Sequence, residues 1–134
     1  MKNFFLVLVL FLISTACYSQ SIEIKAKKVD DIKAKLIDIQ LQLGWSIENE
    51  TANLITFTKK NDDTLYTVFS AISNTFANSR QKFNFSQSSE SVKVYGSEEF
   101  YSGKDIQKAD TDFRKKEMEE KLNKLKNLVE KNSK

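Results

Sequence analysis

At 134 residues, with 40% hydrophobic and 29% charged side chains, the chain has the length and composition of one packed domain. A formal net charge of +3 gives no field that would steer the whole molecule onto nucleic acid. No histidine, one cysteine and three glycines exclude histidine-based triads, zinc sites of the usual nitrogen and sulfur type, and a glycine-rich phosphate loop.

The first segment, 1–19, reads as a secretory signal peptide. Lys2 gives a positive start, Phe4 to Ile13 is unbroken apolar sequence, and Ser14 to Gln20 is small and polar. The apolar run is about half the roughly 20 residues that a bilayer-spanning helix needs. Cys17-Tyr18-Ser19 before Gln20 satisfies the small-residue cleavage rule, and so does Ser14-Thr15-Ala16 before Cys17. The second site resembles a bacterial lipoprotein signal, in which Cys17 would become the lipidated first residue. Such signals usually carry Leu, Val or Ile where this chain has Ser14. Otherwise Cys17 is discarded with the signal. Cleavage after Ser19 leaves no cysteine, whereas small secreted eukaryotic domains lean on disulfides; a bacterial envelope or secreted protein is therefore expected.

Ile22, Ile24 and Ala26 alternate with Glu23 and Lys25 as a short strand. The period then lengthens: Val29, Ile32, Leu36, Ile39 and Leu43 define one helical face, with Asp30 and Asp31 in the first turn and Gly44 as the stop. Period two follows to about residue 100. Trp45 and Ile47 begin it, Leu54 to Lys59 comes next, and Leu65 to Ser73 carries apolar groups on both faces. Asn74 to Arg80 is the least patterned connection. Phe83 and Phe85 alternate next, and Val92 and Val94 finish at Gly96. The expectation is an α+β domain over 20–103: a short strand, a helix, and a four-stranded antiparallel meander packed on that helix.

From Lys104 to the end, 104–134 reads as one long charged helix. Ile106, Ala109 and Phe113 fall on one face; Met118, Leu122, Leu125 and Val129 fall on another, so the seam slips between the two groups. Glu117 with Lys121 and Glu120 with Lys124 are spaced as stabilising ion pairs. At ~1.5 Å per residue such a helix outreaches a small domain, and its last turns are expected to overhang. An overhanging seam at Met118, Leu122, Leu125 and Val129 is then a candidate partner-binding surface.

The remaining chemistry is sparse. Asp30-Asp31, Asp62-Asp63 and Glu98-Glu99 are adjacent acids whose side chains diverge, and Asp110 and Asp112 do not converge on a helix. Ser70 or Ser86 could meet a lysine only through the fold. No catalytic, cofactor-binding or metal-ligating residue is nominated, and a non-enzymatic protein is expected.

The strand–helix–meander order, with Gly44-Trp45 leading into the sheet, resembles small α+β domains of exported bacterial envelope lipoproteins. Outer-membrane assembly accessory lipoproteins are examples. The resemblance covers Ile22 to Gly96 and implies a binding or scaffolding role in the periplasm or outside the cell. The expected partner is another envelope or secreted protein, with membrane contact only through a lipidated Cys17. A second expectation is a carrier of a small apolar ligand, in a helix–sheet pocket lined by Trp45, Phe57, Phe69 and Phe83.

Overall fold

The computed structural model describes residues 20–26, 28–60, 78–102, 105–108 and 112–131. In chain order these form β1 (Gln20–Ile24), α1 (Val29–Gln42), β2 (Ser46–Glu50), β3 (Leu54–Lys60), β4 (Asn78–Gln87), β5 (Val92–Ser102), β6 (Asp105–Lys108) and α2 (Asp112–Lys131). The α+β architecture expected from the alternating and helical periods is the one observed. The sheet runs β1-β5-β4-β3-β2, every pairing antiparallel, and β6 adds to β5. Strands β2 to β5 are the meander. β1 pairs with Val92–Gly96 of β5 and β6 with Glu99–Ser102, so the two short strands share one edge of the longest strand.

The period of two sorts the sheet into faces. Ile24, Ile55, Phe57, Phe83, Phe85, Val92 and Val94 point to one side and are buried there. Phe57 and Phe83 meet edge to face with centroids 6.0 Å apart, a favoured aromatic geometry. The other face is polar. Arg80 on β4 donates from Nε and Nη2 to both Glu48 carboxylate oxygens at 2.6 Å and from Nη1 to Glu99 at 3.0 Å. Glu48 sits at a β-bulge between Ile47 and Asn49, which re-aims its side chain toward Arg80. The guanidinium lies 4.3 Å from the Tyr101 ring centroid, so one side chain ties three strands together.

Two described helices cover the apolar face, where the sequence reading made α1 the lid and laid only the first half of 104–134 on the sheet. α1 supplies Ile32, Leu36 and Ile39, and α2 supplies Met118, Leu122, Leu125 and Val129 to the same cluster. The expected overhang is therefore corrected: α2 has 20 residues, ~30 Å, and lies on the domain along that length. The excess length in the sequence reading came from Ile106 and Ala109. Their spacing to Phe113 imitates a helix, but Ile106 instead pairs with Tyr101 in β6, and β5 runs past Gly96 to Ser102 to receive it. Ile106 and Phe113 are 58% and 68% exposed. β4 likewise starts at Asn78, inside the stretch read as connection. The expected strand Leu65 to Ser73 lies outside the described residues.

Local chemistry fixes the helix ends. Asp30 and Asp31 occupy the first turn of α1, where the dipole favours negative charge. Lys33, buried, donates to the Thr51 carbonyl at 2.8 Å and pairs with Glu50 at 2.7 Å, tying α1 to the β2–β3 turn. At the other end Gly44 has φ +80°, the Trp45 N–H donates to the Gln40 carbonyl and the Gly44 N–H to that of Leu41. That pair of bonds is a Schellman motif, and it requires the left-handed residue that glycine supplies without strain.

Candidate functional site

The buried side of the sheet becomes polar toward the C-terminal end of α1. Gln81 and Glu98 follow Phe83 and Gly96 at the same inward register and face each other across β4 and β5. The Schellman turn drops Trp45 beside them, and α2 passes over with Arg114, Glu117 and Lys121. Together with Ile39, Leu43, Lys59, Glu120 and Lys124 these residues enclose an open cleft of about 430 Å³.

Its floor is a hydrogen-bonded chain. The Lys121 ammonium donates to Gln81 Oε1 at 2.6 Å and Gln40 Oε1 at 3.0 Å, and Gln40 Nε2 donates to Gln81 Oε1 at 2.7 Å. Gln81 in turn hydrogen-bonds Glu98. The ammonium lies 5.2 Å from the Trp45 ring centroid, within cation–π range. Arg114 Nη1 is 3.0 Å from Glu117 and 4.0 Å from Glu98, and its guanidinium sits 5.3 Å from the Phe100 ring. Lys59 Nζ donates to the Leu43 carbonyl at 2.8 Å, supplying the cation that the last turn of α1 lacks.

Burial dominates the electrostatics. Desolvation pushes the Lys121 amine down to about 8, against the opposing pull of Glu98 and Glu117. Desolvation also raises the Glu98 carboxyl, whose side chain is 5% exposed, although Arg114 and Gln81 act the other way. Glu99, one residue on, points to the opposite face; burial raises it, but donors from Lys82 and Arg80 outweigh this and hold it below the usual range. Adjacent acids thus diverge as their strand period requires. Among the described residues no group of acids, histidines or cysteines is arranged to hold a metal ion. No described helix is long and apolar enough to cross a membrane.

The residues singled out from sequence fall elsewhere. Met118, Leu122, Leu125 and Val129, read as a free partner-binding seam, are core side chains with no more than 6% exposure. The reason is the shorter helix, which brings the whole stripe over the sheet. Of the four residues read as an apolar pocket, Phe57 and Phe83 are core side chains with no accessible surface. Trp45 is buried too, but its edge borders the polar cleft. Phe69 lies outside the described residues, as do Cys17, Ser70, Asp62, Asp63 and Asp110.

Lys121, Gln81 and Glu98 were not nominated from sequence, though two left a signal. Gln81 and Glu98 continue the inward period-two registers of Phe83-Phe85 and Val92-Val94. Lys121 sits between Met118 and Leu122–Leu125 on the core stripe, so it makes no ion pair with Glu117 and turns into the domain instead. No family model, curated protein or solved structure matches the chain.

Proposed function

We propose that this protein is a small, exported, non-enzymatic binding module of the bacterial envelope or secretome, and that it engages another protein at the Trp45–Lys121 cleft. One observation carries the reading: charged side chains from α2, β3 and β5 converge on an opening instead of dispersing into solvent. Pairing of opposite charges across an interface gives specificity, and a half-desolvated cation beside an aromatic edge is typical of residues that dominate binding. The leader-like 1–19 segment supports export; the missing histidine, and the strand alternation that turns Ser79 and Lys82 of the one S-x-x-K to opposite faces of β4, support a role other than catalysis.

The test is affinity capture from envelope extract of the native host, using the full chain in three forms. Lys124→Glu reverses a charge at the cleft rim, and Lys93→Glu does the same on the opposite face of the sheet. A partner recovered by the wild type and by Lys93→Glu, but lost with Lys124→Glu, is the expected result. Equal recovery by all three chains would remove the cleft from the interface.

A further inference from the structure

The chemistry of the cleft narrows what it can hold, on the premise that it is the docking site proposed above. An ammonium group carries three protons, and Lys121 gives two of them to amide oxygens, which are neutral. No carboxylate among the described residues forms an ion pair with it. A half-buried cation balanced only by dipoles and more distant acids is electrostatically undersatisfied. Of the three acids lining the cleft, Glu98 and Glu117 are engaged by Arg114, while Lys124 and Lys59 add positive charge around the same opening. Ile39, Leu43 and Trp45 supply an apolar wall beside it. The volume, about 430 Å³, is at the small end of ligand pockets, which run from roughly 300 to 1,000 Å³.

We propose that the cleft captures a carboxylate carried on a short apolar group, with the Lys121 ammonium taking the carboxylate and Ile39, Leu43 and Trp45 receiving the apolar part. Two sources share this chemistry: the last residue of a polypeptide that ends in an apolar side chain, and a small free organic acid. Capture of chain termini is a recurrent mode of peptide recognition, and charge-assisted hydrogen bonds are the strong ones.

Trp45 is the only tryptophan in the sequence, so its fluorescence reports on this site alone. The full chain is titrated at neutral pH with N-acetyl-leucine, its uncharged amide, and hexanoate. The acid should shift Trp45 emission saturably, and the amide should bind about tenfold more weakly or worse, since it lacks the charge. Lys121→Met should abolish the response to the acid, and Lys124→Glu, which leaves the core untouched, should weaken it. Preference for N-acetyl-leucine over hexanoate assigns the site to polypeptide ends, and the reverse to small acids. Equal binding of acid and amide, or no emission change with any of the three at millimolar concentration, overturns the proposal. Should that happen while Lys124→Glu still loses its protein partner in the capture experiment, the cleft survives as a docking site and the carboxylate alone is refuted.

Discussion

In the folded chain burial lowers the Lys121 amine to about 8, whereas in the unfolded chain it returns to the ordinary lysine value near 10.5. Below pH 8 both states hold the proton and folding bears the full cost of desolvating it. Between those two values the unfolded state binds more protons, so stability rises with pH. The charged groups facing the amine are Glu98 from β5, Lys59 from β3, and Glu117 and Arg114 from its own helix; α1 presents only the neutral Gln40. Urea denaturation should show the wild type about 1–3 kcal/mol more stable at pH 9.5 than at pH 7, with little gain in Lys121→Met. A parallel rise in the variant would assign the effect to other groups. Gly96 is a second sensitive position. It faces Phe83 across the ladder, and a Cβ there would stand 2.6 Å from Met118 Sδ and 3.3 Å from Phe83 Cε1. Gly96→Ala should destabilise the domain by about 1–3 kcal/mol in denaturant melts. Because the methionine tip is the first obstacle, the same change in a Met118→Ala background should cost clearly less.

Among the elements, α2 changes most between reading and structure. Removing everything after Phe113 would strip Met118, Leu122, Leu125 and Val129 from the core and expose Ile24, Phe83 and Val94. Such a chain should lose cooperative unfolding and its far-ultraviolet strand signal. Within the helix, Leu125→Ala should cost about 2–5 kcal/mol, while Lys124→Ala, one residue away, should stay within about 0.5 kcal/mol in the same assay. The contrast in legibility between the two helices is physical. α1 carries both signals that define a helix, an apolar stripe at spacings of three and four and a glycine that its Schellman turn requires. Ile106 keeps that spacing to Phe113 by coincidence, and backbone pairing of 105–108 with β5 overrides it. The slip of the stripe between Phe113 and Met118 falls inside α2, which starts at Asp112. The inward register of Gln81 and Glu98 could be read from alternation, but nothing local shows that Lys121 would descend on them from a helix 40 residues later.

At the scale of the whole molecule, removal of the proposed leader would leave a shortened chain. Intact-mass measurement on protein from the native host should give a product that starts at Gln20, or at Cys17 with added lipid mass; a full-length mass would refute processing. The described fold also has a bearing on timing. β1 and α2 stand at opposite ends of the chain yet touch, with the Lys25 N–H donating to Glu130 Oε1 at 3.2 Å and Val129 seated in the same cluster as Ile24. Contacts of such long sequence separation form late, after the loop between them has been closed. A ribosome that has made only the first hundred residues therefore holds a sheet with half its roof missing, unable to shut. Closure of the core waits for Met118, Leu122, Leu125 and Val129, the last apolar side chains of the cluster to be synthesised.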